Sequence, residues 1–251
     1  MCVPHDAHPP ITALPGSVAA AGPLLLTAAD GNEFCAYAAS AADAEPAGIV
    51  VLPDVRGIFP FYEELAMRFA ERGVDAVTID YFGRTAGTDT RDADFDYMPH
   101  VQATTLEGIT ADVAAAVGHL RTNAAGRPVF VVGFCFGGSG AWLQASAGHG
   151  LAGAVGFYGN PIREREGSPV PIAMVASVEC PILGLMGGAD EGIPASAVAE
   201  YAAALEAAGV RHEFHTYPGA PHSFFDRSYE EHAAASEDAW GRTLEFIAAN
   251  S

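Results

Sequence analysis

Residues 129–138, Val-Phe-Val-Val-Gly-Phe-Cys-Phe-Gly-Gly, set Cys135 in a Gly-x-Cys-x-Gly turn directly after an apolar, β-branched run. Such a run reads as a strand buried on both faces, and the turn predicts a strand-to-helix junction of the nucleophile-elbow kind. Chain segments crowd around an elbow, so Gly133 and Gly137 are expected to supply room that no Cβ could share. A sulfur at the first turn of a helix is chemically useful. The thiolate is the attacking form, and unpaired N–H groups with the helix dipole favour an anion there. The competing reading of Cys135 is a buried thiol beside a Gly-rich turn, with no chemical role.

A cysteine nucleophile needs a base to move its proton and an acid to hold that base in one tautomer. After an elbow these follow in the chain order acid, then base. Two downstream loops fit. The apolar run Ile182–Met186 ends in Gly187-Gly-Ala-Asp190, and the run His212–Tyr217 is followed by a loop holding His222. Both residues fall just past the carboxyl ends of strands, where ligand-facing groups of a parallel sheet sit. Asp190 could instead form a turn or cap a helix, and Glu191 is its nearest rival. Of nine histidines, His222 is the best placed: His5 and His8 lie in a tail, His212 and His215 on a strand, His119 and His149 on helix or loop surface. No His-Glu-x-x-His or paired-cysteine spacing supports a zinc site.

The elements that must position these groups follow from alternation. Residues 1–21, with Pro4, Pro9, Pro10 and Pro15, predict an extended arm, and residues 22–251 a single domain. Leu24–Thr27 and Glu33–Ala38 predict a hairpin. From Gly48 onward, strands near residues 49–52, 76–79, 129–132, 154–157, 182–186 and 212–217 alternate with helices near 62–72, 104–122, after 135, 194–208 and 229–249. That is an α/β pattern, a mostly parallel sheet with helices on both faces.

The 251 residues are half hydrophobic and carry a formal net charge of -19, which disfavours nucleic acid as a partner. All twelve basic residues are arginine. Schiff-base chemistry, a Walker-type phosphate loop and a Ser-Lys dyad are thereby excluded. The four cysteines, Cys2, Cys35, Cys135 and Cys180, show no disulfide or metal spacing and read as reduced thiols. No apolar run approaches a membrane span, and the first residues lack a signal-peptide pattern, so a cytoplasmic protein is expected.

Taken in order, Leu52-Pro-Asp-Val-Arg-Gly57, Asp80-Tyr-Phe-Gly-Arg84, Gly133-Phe-Cys-Phe-Gly-Gly138, Gly156-Phe-Tyr-Gly159, Gly187-Gly-Ala-Asp190 and Pro221-His-Ser-Phe-Phe225 resemble the dienelactone hydrolases (carboxymethylenebutenolidases) of the α/β-hydrolase superfamily. The cysteine elbow is the most specific element, since most relatives in the superfamily use serine. The resemblance implies the α/β-hydrolase fold and a triad of Cys135, Asp190 and His222. It also implies an oxyanion hole made by the main-chain N–H groups of Val55 and Phe136.

The family glutamate that contacts the resting thiol aligns with Asp54, one methylene shorter. Of two arginines that hold the substrate carboxylate, one aligns with Arg84; the other position is Asp226, with Arg227 next to it. Outside the resemblance, Arg84 reads as a surface loop residue and Arg227 as a partner for Asp226 or Glu230. Tyr81, Phe82, Tyr158, Phe224 and Phe225 are expected to form an aromatic wall. The expected activity is hydrolysis of a small lactone or ester, a small-molecule substrate, without cofactor or metal. The alternatives are a broad carboxylesterase or thioesterase and an idle binding scaffold of the same fold.

Overall fold

The computed structural model describes residues 7–89, 91–122, 124–166 and 168–251; Cys2 and His5 lie outside them. One eight-stranded sheet organises the chain, in the order β1-β2-β4-β3-β5-β6-β7-β8. β1 (Val18–Thr27), β2 (Glu33–Ala41) and β4 (Asp75–Ile79) make the antiparallel edge. The parallel part runs from β4 through β3 (Gly48–Leu52), β5 (Val129–Phe134), β6 (Gly153–Phe157) and β7 (Ile182–Gly187) to β8 (His212–Tyr217). β3, β5, β6 and β7 are buried at every residue, as continuous apolar runs covered by helices on both faces must be.

The helices are α1 (Pro60–Ala70), α2 (Gly83–Ala86), α3 (Tyr97–Ala103), α4 (Leu106–Arg121), α5 (Phe136–Gln144), α6 (Ala195–Ala207) and α7 (Ala233–Asn250), with a 3₁₀ segment at Pro171–Ser177. α4 starts where Thr105 Oγ1 accepts from the Gly108 amide at 3.1 Å, a side-chain cap. α5 lies against β5 and β6, and the Trp142 indole donates to the Leu183 carbonyl of β7 at 3.3 Å. The helix behind the elbow is thus fastened to three central strands.

The arm expected over residues 1–21 is shorter in the structure. β1 begins at Val18, because Ala20 to Gly22 pair with Ser40 to Ala38 of β2 although their own side chains carry no hydrophobic alternation. Pro23 is tolerated since β1 is an edge strand. Ahead of β1 the chain is tied to α1: His8 Nδ1 lies 2.6 Å from Glu64 Oε2, and the Leu14 amide donates to Glu71 Oε2 at 3.0 Å.

Candidate active site

Cys135 is the N-cap of α5 and takes φ 56°, ψ −110°, a left-handed conformation that costs a non-glycine residue of order 1–3 kcal/mol. The crowding behind it is extreme. A Cβ on Gly133 would stand 1.8 Å from the Gly137 carbonyl oxygen, and one on Gly137 would stand 2.1 Å from the Leu52 carbonyl oxygen. With both positions bare, β5 and α5 approach closely, and the Cys135 amide bonds to the Phe157 carbonyl at 3.0 Å. The thiol is left at the carboxyl edge of the sheet, partly exposed.

Asp190 follows β7 and His222 follows β8, and their side chains meet: His222 Nδ1 lies 2.6 Å from Asp190 Oδ2. The other carboxylate oxygen accepts from the Gly192 amide at 2.8 Å, which fixes its orientation. Burial works against the Asp190 charge, yet the bond from His222, the charge on that ring and the Gly192 and Ile193 amides hold its carboxyl below the usual range. Glu191 is exposed and also lines the cavity, but it is Asp190 whose carboxylate meets His222. Burial also opposes charge on His222, but its hydrogen bonds to Asp190 and Cys135 and the negative charge of both raise it to about 10. His222 is therefore an imidazolium near neutral pH, and its Nδ1–H faces Asp190.

Val55 and Phe136 both line the cavity around Cys135. Phe136 is the first residue of α5, so its amide has no intrahelical acceptor. Asp54 is engaged within its own loop. Its Oδ2 accepts from Arg56 Nη2 at 2.7 Å and its Oδ1 from the Arg56 amide at 2.9 Å, while its own amide donates to the Tyr62 hydroxyl at 3.0 Å. The shorter side chain turns back on its own loop.

Arg84, expected to hold a substrate carboxylate, is engaged elsewhere. Arg84 forms ion pairs with Asp30 and Asp112, the latter at 2.8 Å, and donates to the Gly108 carbonyl at 3.2 Å, outside the cavity wall. Asp226 is also withdrawn: it is buried and accepts from the Tyr158 hydroxyl at 2.7 Å. Arg227, exposed, lines the cavity. Of the expected aromatic wall, Tyr158 lines the cavity, with its ring centre 5.0 Å from that of His222; Tyr81, Phe82, Phe224 and Phe225 are buried in the packing behind it.

Sequence reasoning missed Arg165. Its guanidinium lies 4.7 Å above the Phe136 ring and donates to the Val101 carbonyl at 2.8 Å and to Thr104 Oγ1 at 2.7 Å. Burial lowers its pKa, and these neutral acceptors pin Arg165 over the turn between α3 and α4. The resulting cavity has a volume of about 660 Å³ and reaches Cys135, Asp190 and His222 together.

The sequence pattern of the dienelactone hydrolase family matches residues 34–251. The chain belongs to the dienelactone hydrolase family. It is 33% identical over 209 residues to a carboxymethylenebutenolidase of Rhodococcus opacus, covering 79% of each chain. A protein of Escherichia coli (strain K12), provisionally named a carboxymethylenebutenolidase, is 31% identical over 212 residues, 79% of this chain and 75% of that one. Among solved structures, a provisionally named dienelactone hydrolase from Klebsiella pneumoniae superposes with a TM-score of 0.78 at 27% identity, covering 91% of this chain and 99% of that one. As a member of the dienelactone hydrolase family, the chain is a hydrolase of lactone or ester bonds with the α/β-hydrolase fold. Among the described residues no helix is long and apolar enough to cross a membrane.

Proposed function

We infer that this protein cleaves esters or lactones by covalent catalysis, with Cys135 as nucleophile, His222 as acid and base, and Asp190 as the orienting carboxylate. The supporting observation is the 2.6 Å contact between His222 Nδ1 and Asp190 Oδ2, made at the mouth of the cavity that also holds the elbow cysteine. The Cys135 sulfur attacks the carbonyl carbon, and the carbonyl oxygen takes up negative charge against the Val55 and Phe136 amides. Such preset donors commonly supply the largest single catalytic contribution. Collapse breaks the carbon–oxygen bond and leaves a thioester, while the His222 proton passes to the departing alkoxide. Neutral His222 then takes a proton from water. The hydroxide adds to the thioester, and the second collapse expels the thiolate beside a recharged imidazolium, which restores the starting pair.

Arg84 is held in ion pairs outside the cavity and Asp226 is a buried acid, so neither family position offers a clamp for a carboxylate; this favours the broader reading, an ester or lactone that need not be anionic, with Arg163, Arg165 and Arg227 the arginines of the cavity wall. The experiment is mass spectrometry of enzyme trapped with a slow ester. An acyl adduct on the peptide containing Cys135, absent in Cys135→Ala, is expected; an adduct on Cys35 or Cys180 would overturn the assignment. Comparing a carboxylate-bearing lactone with its neutral methyl ester tests the substrate reading. A strong preference for the anion would reject it.

A further inference from the structure

The cavity is larger than the chemistry alone requires. A small ester or lactone of about ten non-hydrogen atoms, at no more than roughly the 30 Å³ that one water occupies in the liquid, fills less than about 300 Å³. The cavity holds about 660 Å³. Its shape follows from α5. Phe136, Ser139, Gly140, Leu143 and Gln144 all line it, and steps of three and four place them on one helix face. The space therefore runs along the helix from the nucleophile to its last turn, about 12 Å at 1.5 Å per residue. Leu106 and Ile109 of α4 line the same space, as do Pro171 and Ile193, so apolar surface predominates, with Asn160, Arg163, Glu164 and Arg165 also in the wall.

Gly140 keeps this passage open. Unlike Gly133 and Gly137, it is not forced by backbone crowding: a Cβ there would meet only Leu52 Cδ1, at an ordinary 3.6 Å. Glycine weakens a helix interior, so its presence where a larger residue would fit is explained by the space it leaves. The direction of the occupant follows from the proton path. The leaving alcohol must reach His222, beside Pro221 and Ala189, which leaves the α5 end for the acyl portion.

We propose that this face of α5 is an acyl subsite and that the enzyme takes esters or lactones whose acyl portion carries an apolar arm of about eight to ten carbons, the length that spans 12 Å at ordinary bond lengths. The proposal rests on Cys135 being the reacting thiol. It deepens that reading by naming the substrate class.

The test is a p-nitrophenyl ester series from acetate to tetradecanoate. kcat/KM should rise about two- to fourfold per methylene, the range set by burying one CH₂, and flatten beyond about ten carbons. Gly140→Leu should cut the octanoate-to-acetate ratio at least tenfold, and its unfolding temperature reports whether the fold survives. A second measurement does not need turnover. Alkyl methanethiosulfonates from methyl to octyl should label Cys135 faster with length in the wild type, and Gly140→Leu should erase the trend, as read by peptide mass. Hydrolysis without length dependence in either series, or equal loss on short and long esters in Gly140→Leu, overturns the subsite and leaves Cys135 catalysis standing. Length-dependent labelling without hydrolysis of any ester keeps the subsite and overturns the hydrolytic reading.

Discussion

The Tyr158 hydroxyl donates to Asp226 Oδ2 at 2.7 Å, from a ring whose centre lies 5.0 Å from that of His222. A buried carboxyl thus stands one side chain behind the candidate base. Tyr158 itself adopts φ 39°, a left-handed conformation held by its surroundings, among them this bond.

Burial pushes the Asp226 carboxyl up to about 6, although Tyr158, the Arg227 amide and Ser223 all bond to it. Its folded pKa is above the unfolded value, so the folded chain binds this proton more tightly. The associated stability is fully present at acid pH and is lost as pH rises from about 4 through about 6, by about 3 kcal/mol in the limit. Asp226→Asn removes the titration. The stability of wild type relative to Asp226→Asn should therefore fall between pH 4 and 7 in urea unfolding; a rise over that window would reject the assignment.

Arg84 should prove structural. Asp112, its side chain 2% exposed, is pushed up to about 6 by burial despite its bonds to Asn32 and Arg84. Removing Arg84 leaves that carboxyl without its cation, a loss of about 1–3 kcal/mol once the partial exposure of the guanidinium is allowed for. Arg84→Ala should lower the unfolding midpoint, and adding Asp112→Asn should recover part of the loss. The ratio of kcat/KM for an anionic lactone to that for its methyl ester should not move. A tenfold fall in that ratio would return Arg84 to the substrate.

The contrast between Arg84 and Cys135 marks what the sequence makes legible. Cys135 is announced locally: the strand, the crowded glycines and the helix start lie within ten residues of each other. Asp190 and His222 are likewise placed by the ends of apolar runs, and parallel neighbours bring those ends together. Arg84 depends on Asp30 and Asp112, distant in sequence and uncharacteristic of any pattern. Asp54 is similar, since its turn back toward Arg56 is a matter of side-chain length. β1 starts early because β2 offers backbone partners to an alanine run. α2, α3 and the 3₁₀ segment are too short to display a period. Arg165 went unread because its acceptors are carbonyls and a hydroxyl of a distant turn.

His222 should stay protonated well above neutrality. Its pKa, about 10, is held up against burial by Asp190 and by Cys135, so the stabilisation it brings is complete below about 6.5 and is lost as pH rises through about 10. Nitrogen NMR of the ring should show an imidazolium at pH 8 in the wild type. In Cys135→Ala, one of its two hydrogen-bond partners is gone, and the midpoint should fall by more than one pH unit. An unchanged midpoint would show that Cys135 does not bond to His222.

Asp190→Asn tests the orienting carboxylate with little risk to the fold, because an asparagine oxygen can still accept from the Gly192 amide that Asp190 Oδ1 engages at 2.8 Å. What changes is the face toward His222. An amide nitrogen there would meet Nδ1–H with another donor, favouring the opposite tautomer, and the charge that stabilises the imidazolium is gone. kcat/KM on a p-nitrophenyl ester should fall by about 10²–10⁴, and the His222 midpoint should fall with it. Glu191→Gln, at the exposed neighbour, should stay within about threefold of wild type. In the double variant Cys135→Ala, Asp190→Asn, the second change should add almost nothing, since groups acting as one unit are strongly non-additive. If Glu191→Gln lost a hundredfold while Asp190→Asn remained near wild type, the two acids would have exchanged roles.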